Sequence, residues 1–219
     1  MKKSHLIFAT LIFLIFAISV FAQEEETATN GQEEKWRNFE VSGFAGAALP
    51  SGGIKDWSDS IGAKTGLTFG ANGGYYLTEK ICLGAYFQYS QLGMEIYSRN
   101  HRLYDAGAYI KYAFVGESNF EPYVKLSAGV LWTKFATWVG PAYTRLRELS
   151  YNPGFKGALS AGLIYYTSDY GGVYAEMGYN YGAVKDKEED YHSQKFNFSE
   201  TVNYIDAKFG IVVFFGPEE

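Results

Sequence analysis

Leu103-Tyr104-Asp105-Ala106-Gly107-Ala108-Tyr109-Ile110-Lys111-Tyr112-Ala113-Phe114 is the stretch on which the reading of the fold turns. In an extended chain Tyr104, Ala106, Ala108, Ile110, Tyr112 and Phe114 share one face, and Asp105, Gly107, Tyr109 and Lys111 share the other. Alternation with period two is the mark of a strand with two unlike sides. One side is apolar along its whole length, while the other holds an acid, a base and a phenol.

Seven more segments repeat the pattern, at 39–48, 65–77, 81–91, 122–134, 155–166, 173–182 and 202–215. Eight charges within these segments fall opposite the apolar row. They are Glu40, Asp105, Lys111, Lys125, Lys156, Glu176, Asp206 and Lys208, four acids and four bases. A lysine facing acyl chains at mid-bilayer costs ~2–4 kcal/mol, so charges confined to the other face fit strands whose apolar face meets lipid. Their balance fits an interior network in which buried charges pair.

The segments are 10 to 14 residues long, and a tilted strand needs ~9–11 to cross the hydrocarbon layer. In lipid no backbone polar group can be left unpaired, so such strands must close into a ring. Connections alternate too. Those at 78–80, 115–120 and 167–171 are short, and those at 49–64, 92–102, 135–154 and 183–201 are long. Short turns on one side and long loops on the other are the habit of an outer-membrane barrel. The expectation is an all-β, up-and-down antiparallel transmembrane β-barrel of eight strands, or ten if the third or fourth long loop forms a hairpin. Rings gather near segment ends: Tyr75, Tyr76, Phe114, Tyr165, Tyr166, Phe214 and Phe215 on the short-turn side, and Tyr89, Tyr104, Trp132, Phe155, Tyr179 and Tyr181 on the other. These are read as two interfacial belts.

Outside the repeat, Lys2-Lys3, an apolar run from Leu6 to Phe21 and Val20-Phe21-Ala22 read as a secretory signal peptide over 1–22. Residues 23–37, rich in Glu, read as an acidic periplasmic linker, 38–216 as the barrel domain and 217–219 as a tail. The chain carries a net charge of −5, more negative by two once Lys2 and Lys3 are removed. That acidity argues against nucleic acid as a partner. A single cysteine, Cys82, excludes an internal disulfide.

Residues 122–130 (PYVKLSAGV), 157–165 (GALSAGLIY), 174–179 (YAEMGY) and the closing 212–215 (VVFF), in this order, resemble the small OmpA-like and OmpX-like outer-membrane barrel domains, often grouped as a porin family. Gln23 after the cleavage point is similar to exported proteins of the Bacteroidetes type. The resemblance implies chain ends in the periplasm, long loops outside the cell, outer-membrane lipid as surroundings, and a monomer delivered by periplasmic chaperones to the insertion machinery. It also implies an assembly signal at the last strand's aromatic, Phe215. Here Gly216-Pro217-Glu218-Glu219 follow it, a departure from a terminal aromatic.

Chemistry is sparse. His101 and His192 fall in long loops, and His192-Ser193 near Asp190 lack the fixed frame that defines a triad. The acidic run at 185–190 lacks calcium-loop spacing. We therefore expect no enzyme, no cofactor and no metal. An eight-stranded ring is just wide enough for side chains to fill it, and Tyr86, Tyr109, Tyr123, Tyr174, Tyr204 and the paired charges are candidates to do so, with Cys82 as a small filler. The expected function is structural or surface-interacting, the loop at 135–154 with Trp138, Tyr143, Arg145, Arg147 and Tyr151 being a candidate contact surface. The alternatives are a narrow channel or small-solute barrel, or a soluble lipocalin-like barrel.

Overall fold

The computed structural model describes residues 38–56, 62–94, 100–116, 118–139, 145–185, 189–191, 194–196 and 200–216. The expected signal peptide, the acidic linker, the tail and the His192-Ser193 pair lie outside these residues. The strands, in chain order, are β1 (Phe39–Gly53), β2 (Ala63–Tyr76), β3 (Ile81–Met94), β4 (His101–Ala113), β5 (Phe120–Val139), β6 (Arg145–Ser150), β7 (Asn152–Ser168), β8 (Gly171–Lys185), β9 (Glu189–Tyr191), β10 (Gln194–Phe196) and β11 (Glu200–Phe215).

Eight of them close into one antiparallel ring. β1 pairs with β2, β2 with β3, β3 with β4, β4 with β5, β5 with β7, β7 with β8, β8 with β11, and β11 returns to β1. The other three add no stave. β6 pairs with the far end of β5, from Lys134↔Ser150 to Val139↔Arg145, and so prolongs one hairpin beyond the ring. β9 and β10 form a separate two-stranded piece. The choice between eight and ten strands is therefore settled at eight, because the two candidate hairpins stand on the long-loop rim instead of within the wall.

Phe39 lies opposite both Phe215 and Tyr75, so the two ends of the barrel chain share a rim with the short turns. At the other rim Gly53, with φ of +58°, turns β1 into a 3-10 turn over Ile54–Asp56; glycine takes that left-handed conformation without steric cost. The strands outrun the alternating segments at this rim. β5 has 20 residues and continues to Val139, its last six, from Lys134, being paired to β6 beyond the ring.

The outer wall is apolar. Leu67 and Phe209 are each 70% exposed, Ile211 64% and Met177 59%. The residues between them in sequence point inward and are buried. A water-soluble barrel of the lipocalin kind would have the reverse arrangement. Rings on the outer wall run laterally across strands. Phe69, Tyr89, Tyr104 and Trp132 occupy one row by register on β2 to β5, with Tyr89 4.9 Å from both Phe69 and Tyr104. At the turn rim Phe120 and Tyr165 are 4.9 Å apart and Phe39 and Phe215 6.3 Å apart.

Two expectations need correction here. Tyr76 and Phe214 are buried, and Tyr166 packs against them; they close the turn end from inside and are not part of the belt, because each is one residue out of step with its outward neighbour. His101 is not in a loop. It opens β4, is buried, and meets Phe135 edge-on at 5.5 Å.

Candidate functional site

The barrel lumen is where the polar chemistry of this chain is concentrated, and it is layered. All eight ionisable residues singled out in the sequence point into it and are buried, from Asp105 and Asp206 at 0% to Lys125 at 8% exposed. Alternation on six different strands, β1, β4, β5, β7, β8 and β11, brings them there. The register between strands then decides which meet, giving three clusters instead of one continuous net.

Nearest the turn rim, Glu40 of β1 is the hub. Lys111 pairs with it and donates to Tyr76 Oη at 2.9 Å. Tyr76 and Tyr109 donate to its two oxygens at 2.8 and 3.0 Å. The Cys82 thiol lies 3.7 Å from Oε1, a small group filling the remaining side of the carboxylate. The second cluster is built on Glu176 of β8. Lys125 approaches one oxygen at 2.5 Å and Lys208 the other at 2.9 Å. Tyr123 donates at 2.9 Å. Lys208 continues to Asp206 at 3.1 Å, and Gln88 donates to Asp206 and to Tyr204 at 3.2 Å each. The third is Lys156 donating to Asp105 at 2.6 Å, its ammonium over the rings of Tyr86 and Tyr204 at 5.6 and 5.5 Å. Rings that face lysines supply part of the solvation that burial removes.

Glycines on the inner face give those tyrosines room. A Cβ at Gly162 would run into the ring of Tyr123, and one at Gly84 into that of Tyr109. Tyrosine across from glycine is how a lumen this narrow holds a ring and a charge at one level.

A layer that the sequence reading passed over lies toward the long-loop rim. Ile54, Leu92, Leu103, Leu131, Phe135, Val184 and Val202 pack together inside the wall with Ala48, Ala63, Tyr151 and Tyr204. Here both faces of a strand are apolar, so alternation fades and the inward residues look like continuations of the outward row. Their signal was the burst of apolar neighbours, Val130-Leu131-Trp132 above all.

Space inside is small. A void of about 20 Å³ lies among Glu40, Ser42, Lys111, Tyr123, Lys125 and Glu176, enough for about one water molecule. Among the described residues no group of three or more His, Cys, Asp or Glu is placed to hold a metal ion. Asp190 falls in β9, and within the 135–154 loop residues up to Val139 pair as β5 with Arg145–Ser150 of β6, while Phe135 and Tyr151 are buried with rings 5.2 Å apart.

The sequence matches no protein-family description and no curated protein. Solved structures are similar in fold. Neisserial surface protein A superposes with a TM-score of 0.55 at 18% identity, over 81% of this chain and 97% of that one. AlkL, an outer-membrane protein determined in DMPC lipid bilayers, gives 0.53 at 15% identity over 89% and 98%. The outer-membrane protein OprG of Pseudomonas aeruginosa gives 0.50 at 14% identity over 86% and 100%. At these identities the likeness is one of fold.

Proposed function

With the fold of the small outer-membrane β-barrels as premise, we propose that this protein is an integral outer-membrane barrel with a filled lumen, and that its role is structural or exerted at its long-loop surface. One observation carries the reading. The ring is closed, its outer wall is apolar from Leu67 to Phe209, and its ions are inside. Only a surrounding that is itself apolar makes that distribution favourable.

The finer parts of the proposal follow from the rims. The chain ends and short turns face the periplasm, and the β5–β6 and β9–β10 hairpins face outward from the cell. Phe215, opposite Phe39 at the closing seam, is the residue we assign as the cue for the insertion machinery, reached with periplasmic chaperones after removal of residues 1–22. The void of about 20 Å³ and the apolar layer above it favour a filled barrel over a channel.

The experiment is fractionation of cells expressing the full chain, followed by electrophoresis of unboiled and boiled membrane samples. The proposal expects the protein in the outer-membrane fraction, migrating faster unboiled than boiled. Recovery of the mature chain as a soluble species without detergent would refute it.

A further inference from the structure

Tyr174 of β8 is 6% exposed, and its Oη meets no hydrogen-bond partner in the protein. Buried polar groups are as a rule bonded to protein or to ordered water, because a bare one retains the cost of its lost hydration. The position of the ring follows from β11. Gly210 stands opposite both Tyr174 and Phe44, and a Cβ there would strike the Tyr174 ring. The ring thus lies against β11, with Ser42 of β1 as a neighbour. Ser42 Oγ accepts from Asn72 Nδ2 at 2.9 Å. Tyr174 and Ser42 both line the void of about 20 Å³, together with Glu40 and Lys111 of one ionic cluster and Glu176 and Lys125 of the next. Tyr86 and Thr133 also carry buried hydroxyls without a protein partner, but neither lines that void.

The structure assigns this void to one firmly held water molecule, bonded to Tyr174 Oη and joining the Glu40 and Glu176 clusters. The inference deepens the filled-lumen reading above and rests on it. Three features select the ligand. The space fits one small molecule, and a buried water needs two to four polar partners, which this lining supplies. The surrounding charges already balance: Lys111 answers Glu40, while Lys125 and Lys208 answer Glu176 and Asp206. A further ion would stand there uncompensated, which a buried site does not tolerate, so the occupant is neutral. The two clusters otherwise touch through rings, with Lys111 5.4 Å from the Tyr123 ring centroid and Lys125 5.6 Å from that of Tyr109. A bridging water adds a hydrogen-bonded link, since such a bridge is nearly as favourable as a direct bond. It extends one polar network from Tyr76 at the turn rim to Asp206 and Tyr204 below the apolar layer.

The test combines a crystal structure of the protein extracted from membranes, at a resolution that shows ordered water, with urea unfolding of Tyr174→Phe in lipid vesicles. The crystals should show one peak within hydrogen-bond distance of Tyr174 Oη and of a charged residue from each cluster. Tyr174→Phe should raise the unfolding equilibrium constant about five-fold, the equivalent of ~1 kcal/mol for one hydrogen bond. A hydroxyl without any partner gives the opposite sign, because its removal relieves a cost, so an unchanged or lowered constant would overturn the inference. An empty void with Tyr174 Oη bonded directly to Ser42 would overturn it too, whatever the variant does, and would leave the filled lumen standing. Anomalous signal at the site from bromide-soaked crystals would identify an anion and overturn the neutral assignment. A continuous file of waters past Leu103 and Leu131 would instead sink the filled-lumen reading itself. The crystal measurement uses the native chain and decides even if the variant does not fold.

Discussion

Lys111 and Lys125 are direct cross-strand partners on β4 and β5, yet neither leaves its charge facing the other: Lys111 pairs with Glu40 of β1 and Lys125 with Glu176 of β8. Two ammonium groups at adjacent buried positions are tolerable only because each has a carboxylate from a different strand. The pairing therefore ties β4 to β1 and β5 to β8 across the lumen, in addition to the ladder around the wall. It makes the ionic core a brace against flattening of the ring.

That brace is testable at its hub. Glu176→Gln leaves Lys125 and Lys208 without their shared counter-ion, and breaking a buried pair costs about 3–5 kcal/mol. Urea unfolding in phospholipid vesicles should show a loss of that size. For the other cluster, Glu40→Gln and Lys111→Met should each destabilise, while the double variant should lose clearly less than the two losses combined. Additive losses would mean the two groups do not interact.

On the outer wall it is the introduction of a charge, not its removal, that destabilises. Leu126, 58% exposed and midway along the paired part of β5, points away from the lumen that Lys125 occupies. Leu126→Arg should cost about 2–4 kcal/mol in vesicle unfolding experiments. A neutral effect would place this position outside the hydrocarbon.

Gly162 and Tyr123 form a matched pair, the one lacking the Cβ that the other's ring displaces. Gly162→Val should destabilise by about 1–3 kcal/mol through overpacking. Adding Tyr123→Ser should recover part of that loss, because it removes the ring that is struck, even though it also removes a hydrogen bond to Glu176.

The apolar layer of Leu92, Leu103 and Leu131 is expected to keep water and ions from crossing. The native protein in planar bilayers should show no sustained conductance of the porin class, and replacing the three leucines by serine should raise it. A wide, stable conductance in the native chain would mean that the lumen is not filled as described.

Much of this was legible in the sequence, for a physical reason. Facing lipid on one side and a packed lumen on the other forces period-two alternation, so segments such as 103–114 and 173–182 declare both strand and side. Loop lengths declare the up-and-down order. What alternation cannot carry is the register between strands. Nothing in the sequence pairs Lys208 with Glu176 instead of Asp105, and that partnership depends on which residues the ladder sets side by side. The apolar layer was hidden because Leu103 and Leu131 make the inner face resemble the outer one, and Tyr76 and Phe214 were assigned by nearness to a strand end without regard to parity. His101 looked like a loop residue because β4 begins earlier than the alternation does.

The central claim is that successive residues of one strand look alternately at acyl chains and into a packed lumen. Spin labels placed one at a time from 173 to 181 on β8, with Cys82 replaced by serine and the protein in lipid vesicles, test it through collision with oxygen dissolved in the bilayer. Labels at 173, 175, 177, 179 and 181 should collide often and those at 174, 176, 178 and 180 seldom. A profile without period two, or one with its maxima at 174, 176, 178 and 180, would contradict the account.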